Sequence, residues 1–214
     1  EKEGERSLFV WPPNNAAHSK YSIKDPQLEN TKKLDWLHVS GISLREEVVR
    51  TSMLKAMKLC FENNVTISFD LNLRVELWGL NSELKATIYE AISYSEFVFG
   101  SLNEEFVNIF DSKNIKDEIK NIAHKDQVFI IRDGPNGSFA YKNNLEYITP
   151  AIDIEPVDTV GAGDAFNTGF IHSMINTSNL DISLLKANAV AAYKLLGESA
   201  RHLPNTKELE TFLN

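Results

Sequence analysis

The sequence predicts an α/β fold, a mostly parallel sheet with helices on both faces. Three observations carry this. Short apolar runs that end in small or polar residues alternate with amphipathic stretches: 35–39 before Ser40 and Gly41, 65–69 before Asp70, 97–99 before Ser101, and 128–131 before Arg132. The intervening stretches have helical spacing, as in Val49, Met53, Ala56, Met57 and Cys60. A glycine-bearing turn, Gly161-Ala162-Gly163-Asp164, then opens a further helical run, and open α/β sheets hold ligands in such turns beyond the carboxyl ends of their strands.

Taken in order, 5–11 reads as a short strand and 14–21 as a helical turn after Pro12 and Pro13. Asp25-Pro26 and the polar run to Lys33 read as a linker. The repeating part follows, with strands at 35–39, 65–69, 97–99 and 128–131 and helices at 45–62, 82–93, 103–110 and 116–123. Asn63-Asn64 stops the first of these helices. Residues 138–141 and 145–148, joined across Asn143-Asn144, have the turn residues of a hairpin. A short extended run at 153–157 leads into helices from 162, from 181 to 196 with Gly197 as a stop, and from 205, where Asn205 and Glu208 make a capping box.

With 214 residues, 43% of them apolar, the chain can bury one substantial core. A net charge of −8 argues against a nucleic-acid or general membrane-surface binder, which would normally show a basic patch. No run approaches membrane-spanning length and no signal pattern opens the chain. Cys60 is the only cysteine, which fits a reducing cytoplasm, and its place on an apolar stripe makes it core. The five histidines lack metal-ligand spacing. There is no P-loop, dinucleotide fingerprint or serine elbow.

The chemistry concentrates in two strings. In Val157-Asp-Thr-Val-Gly-Ala-Gly-Asp-Ala-Phe166, two glycines let backbone amides face an anion, and the positive end of the following helix points there too. Asp164 would repel that anion unless it works as a general base on an attacking hydroxyl; the plainer reading is a helix cap. In Phe69-Asp-Leu-Asn-Leu-Arg-Val-Glu-Leu-Trp78, extended backbone would put Asp70, Asn72 and Arg74 on one side, where the guanidinium can grip a carboxylate or phosphate; the alternative is a solvated loop with Trp78 as core. The strand-end residues together predict one long cleft. Residues 187–192 form a helix face of little bulk, suited to close helix packing.

Asp158-Thr-Val-Gly-Ala-Gly-Asp-Ala-Phe166 resembles the C-terminal signature of the ribokinase (PfkB) family of carbohydrate kinases, and the similarity extends over essentially the whole chain. The resemblance implies a ribokinase-like three-layer sandwich over 25–214, with 1–24 the remnant of a small β lid through which two subunits would pair. It implies ATP and Mg²⁺, with a monovalent cation as a further candidate cofactor. Asp164 becomes the catalytic base, the amides of Gly161, Ala162, Gly163 and Asp164 the anion hole, and Thr159, Gly134, Gly137 and Asn188 the neighbours of the nucleotide.

The segment from Phe69 to Trp78, with 38–44 and 3–11, is similar to members acting on acid sugars, notably 2-keto-3-deoxygluconate kinases. A sugar or sugar acid held by Arg74, Asp70 and Asn72 is therefore expected, although Pro12 stands where those members commonly carry arginine. The inactive sugar- or nucleotide-binding remnant and the neutral-sugar kinase, for example for fructose, are the alternatives. The family's Asn-x-x-Glu metal motif is half present: one register gives Glu105 with Leu102 for the asparagine, the other Asn103 with Phe106 for the glutamate, and an acidic first helical turn explains the residues equally well. Because the chain begins with Glu1, a longer product supplying the family's first βαβ segment is expected.

Overall fold

The computed structural model describes residues 20, 22, 24–75 and 79–214. The expected lid strand at 5–11, the dimer contact on it and the Trp78 end of the second string lie outside them. Six strands form one sheet in the order of the chain, β1 (Trp36–Ser40), β2 (Thr66–Asp70), β3 (Phe97–Ser101), β4 (Val128–Arg132), β5 (Ser138–Lys142) and β6 (Leu145–Thr149). The β1–β2 pair is parallel, whereas β4–β5 and β5–β6 are antiparallel. The chain divides into two compact units, Glu1–Val98 and Phe99–Asn214. None of the described helices is long and apolar enough to cross a membrane.

In the first unit the expected linker is instead a helix, α1 (Asp25–Thr31). Pro26 sits in its first turn, where a missing N–H leaves no hydrogen bond unmade, and the Leu28 amide closes on the Lys24 carbonyl at 3.1 Å. Polar composition read as a linker because the helix is only two turns long. Helix α2 (Glu47–Glu62) follows a 3-10 turn at Gly41–Leu44 and buries Val49, Ser52, Ala56, Met57 and Cys60, the stripe its spacing requires. Helix α3 (Ser82–Tyr94) starts on Asn81, whose side chain accepts the Leu84 amide at 2.8 Å. Trp36 stacks on Phe97 with ring centroids 5.0 Å apart, and its Nε1 reaches Ser68 Oγ at 2.8 Å.

In the second unit the helix expected over 103–110 is two pieces, a single wide π turn at Leu102–Phe106 and α4 (Val107–Phe110). Such wide turns are frequent at functional sites. Helix α5 (Ile115–Ile122) precedes β4. The β5–β6 hairpin turns on Asn143 and Asn144 at φ of 50° and 65°, the left-handed pair that a two-residue turn demands and that asparagine tolerates. Residues 153–157 carry no strand; the Val157 amide donates instead to Leu195 O at 2.7 Å.

Helices α6 (Ala162–Thr177) and α7 (Leu180–Leu195) pack closely because their contact is built from small residues. A Cβ on Gly169 would come within 3.1 Å of Val190 and Ala187. The low-bulk face of 187–192 thus serves helix packing. Phe99 meets Phe170 edge to face at 5.2 Å, seating α6 against β3, and both rings are fully buried. Helix α8 (Thr206–Leu213) begins with the expected capping box, Asn205 with Glu208.

Candidate active site

Ser40, Asp70, Ser101 and Arg132 are the last residues of β1, β2, β3 and β4. Each apolar run thus closes on a polar or charged residue, although Asp70 is itself buried.

The glycine turn has the geometry of an anion site. Gly161 adopts φ +82°, a left-handed conformation that side chains rarely take, and stands just before α6. The first intrahelical bond runs from the Ala165 amide to Gly161 O at 2.9 Å. The amides of Ala162, Gly163 and Asp164 therefore precede the helical ladder, and that of Ala162 turns back to Thr159 O at 3.3 Å. The positive end of a 16-residue helix adds to them.

Asp164 is exposed in the first turn of α6. Its main-chain carbonyl takes the Thr168 hydroxyl at 2.8 Å, while no hydrogen bond or ion pair among the described residues engages its carboxylate. The capping reading thus finds no bond to support it among the described residues.

Behind this turn lies a network that sequence reading missed. The Arg132 guanidinium donates to Gly163 O at 3.4 Å, to Asn167 Oδ1 at 2.8 Å and to Glu105 Oε2 at 3.3 Å. Glu105 Oε2 also accepts the Ser101 amide at 2.7 Å, which the wide π turn makes possible. Arg132 thereby ties the ends of β3 and β4 to the first turns of α6. The available signal was a charge ending the apolar run Val128-Phe-Ile-Ile131.

Glu105 is buried and Phe106 more so, while Leu102 and Asn103 lie nearer the surface. No cluster of three or more metal-ligating side chains occurs among the described residues. The Glu105 carboxylate, already engaged by Arg132 and the Ser101 amide, is of the type that meets Mg²⁺ through the ion's water shell.

Gly134 has φ +51° with open space around it. Gly137, at φ +99°, is needed for a different reason: a Cβ there would lie 2.2 Å from Thr149 O. Asn188 is buried and its amide donates to Thr149 O and Pro150 O, both at 3.1 Å, holding the end of β6.

In the first unit the chain does not stay extended after β2. Asn72 and Arg74 adopt φ of 37° and 48°, against expectation. Leu71 and Leu73 are nevertheless fully buried, while Asn72 and Arg74 are partly exposed. Asn72 Nδ2 donates to Ser40 Oγ at 2.9 Å. Asp70 is buried at the end of β2. No hydrogen bond or ion pair among the described residues engages the Arg74 guanidinium.

A model of the pfkB family carbohydrate kinases matches residues 1–207. The chain is 34% identical over 173 residues to a fructokinase of Vibrio alginolyticus, covering 80% of this chain and 55% of that one. It is 26% identical over 182 residues to a 5-dehydro-2-deoxygluconokinase of Listeria monocytogenes, covering 83% and 56%. A solved fructokinase double mutant from Vibrio cholerae O395, in fructose, ADP and potassium ion bound form, superposes with a TM-score of 0.76 at 29% identity, over 84% of this chain and 60% of that one. The chain spans about half the length of the curated relatives it matches.

Proposed function

Because this chain belongs to the pfkB family of carbohydrate kinases, we propose that it serves an ATP-dependent transfer of the γ-phosphoryl group to a hydroxyl of a sugar. The Asp164 carboxylate, without a partner among the described residues and beside the left-handed Gly161 turn, carries this reading. Asp164 takes the proton of the attacking hydroxyl, and the amides of Gly161, Ala162, Gly163 and Asp164 receive the charge that grows on the phosphoryl oxygens. Bound Mg²⁺ supplies further charge neutralisation on the phosphates, with Glu105 the residue to hold its water shell. Thr159, Gly134, Gly137 and Asn188 are assigned to the nucleotide side. Positioning and charge stabilisation provide most of the rate in such transfers.

The substrate assigned is a keto-acid sugar of the 2-keto-3-deoxygluconate type, with Arg74 orienting its carboxylate and Asp70 and Asn72 on the sugar. The Arg74 guanidinium, unengaged among the described residues, supports this. A neutral sugar is the second reading, favoured by the 34% identity to a fructokinase. We also assign a cytoplasmic location and pairing of two subunits through 5–11.

The test is ADP release by this chain and by the complete product of its gene, offered 2-keto-3-deoxygluconate, fructose and ribose, with Asp164→Asn as control. Turnover on the keto acid that disappears in Asp164→Asn and falls in Arg74→Ala supports the reading. Turnover on fructose alone, indifferent to Arg74→Ala, moves the substrate to a neutral sugar. Nucleotide binding without turnover in the complete product overturns the kinase reading in favour of a binding remnant.

A further inference from the structure

Lys194 lies on α7 with its side chain fully buried, at 0% exposure. A buried ammonium is costly unless oxygen atoms replace its water and an opposite charge answers its own. Both come from one residue. Nζ donates to Asp158 O at 2.6 Å and lies 3.3 Å from Asp158 Oδ2. The other carboxylate oxygen, Oδ1, accepts the Val160 amide at 2.9 Å. Next along α7, Leu195 O takes the amides of Val157 and Asp158 at 2.7 and 3.4 Å. Lys194 and Leu195 together fix 157–160, the approach to the left-handed Gly161.

A carbonyl and a carboxylate at the mouth of an anion-binding turn are hard oxygen ligands of the kind a monovalent cation takes. In this chain an ammonium of equal charge already occupies them. It also cancels one of two carboxylates near the anion site, since Asp158 and Asp164 would otherwise both oppose bound phosphate. We infer that Lys194 is a built-in cation for the 158–164 turn, which therefore works without a bound monovalent ion. The expectation of a monovalent-cation cofactor does not fit the residues present. The role in phosphate binding rests on the kinase reading; the indifference to ions does not.

The test uses the complete gene product as wild type and as Lys194→Thr, in tetramethylammonium, sodium and potassium salts of equal ionic strength. ADP affinity by calorimetry and the thermal midpoint are read. Failure of the kinase reading appears as absent turnover with these readouts intact, so the two are distinguishable. The wild type is expected to give the same Kd and midpoint in all three salts. Lys194→Thr, with room for an ion, is expected to bind ADP about tenfold more weakly in tetramethylammonium, equivalent to about 1.4 kcal/mol, and to recover in potassium. Where ADP does not bind, the midpoint of Lys194→Thr rising in potassium alone is the same test. Potassium-specific tightening or stabilisation of the wild type overturns the inference. So does a Lys194→Thr protein that matches the wild type in tetramethylammonium, or one that potassium cannot restore. If Lys194→Thr does not fold, the wild-type salt series decides alone.

Discussion

Arg132 and Glu105 meet at 3.3 Å, with side chains only 15% and 5% exposed, and this pair joins the ends of β3 and β4. Removing one member of a buried pair leaves the other charge unanswered, which costs more than the pair itself contributes. Arg132→Met is expected to lower stability by about 3 kcal/mol. The Glu105→Gln, Arg132→Met double variant should lose less than the sum of the singles. Urea unfolding of the cycle checks this; additive losses would show that the two side chains do not interact.

Asp164 has no partner for its carboxylate among the described residues, so Asp164→Asn should change stability by less than about 0.5 kcal/mol. On the proposed mechanism the same variant loses about 10²–10⁴-fold in kcat. Parallel calorimetric melting and single-turnover assays separate the two effects. A large loss of stability would return Asp164 to a structural role.

Gly134 and Gly137 are predicted to answer differently to alanine. Gly137→Ala drives a Cβ into the Thr149 carbonyl and should cost about 2–4 kcal/mol. Gly134→Ala meets no atom within 4 Å and should cost only the left-handed backbone penalty, about 1–2 kcal/mol. A drop in ADP affinity in Gly134→Ala beyond that penalty would mark the place where the backbone approaches the nucleotide.

Asn205 holds the last helix by accepting the Glu208 amide at 3.0 Å while Glu208 Oε2 accepts the Asn205 amide at 2.8 Å. Asn205→Ala is expected to lower stability by about 1 kcal/mol, with fraying confined to α8. Amide hydrogen exchange across 206–213 reads it directly, and unchanged protection would refute the cap's contribution.

Cys60 is fully buried on α2, and burial pushes its thiol above the ordinary cysteine range. The thiolate is the reactive form, so alkylation of the native chain at pH 8 should follow the rate of unfolding rather than that of a free thiol. A maleimide time course with and without urea tests this; rapid labelling of the native chain would place Cys60 at an open surface.

Much of the fold was legible because local periodicity and burial agree. The strands at β1 to β4 stand within a residue or two of the apolar runs, and Asn143-Asn144 announced the hairpin because few residues tolerate two successive left-handed conformations. Helix α1 was missed because two turns of polar sequence around a proline carry no helical period.

The sequence by itself determined the parallel pattern, the polar residues at the strand ends and the string 157–166 that names the family, since these depend on neighbours along the chain. Tertiary structure alone decided that Arg132 joins Glu105 to α6, that Gly137 is required by the carbonyl of Thr149, and that Lys194 belongs to Asp158. Each of those pairings links residues 12 to 36 positions apart. A charge is tolerated in a core only once a distant chain segment brings it oxygen atoms, and nothing in its own neighbourhood records which segment that will be.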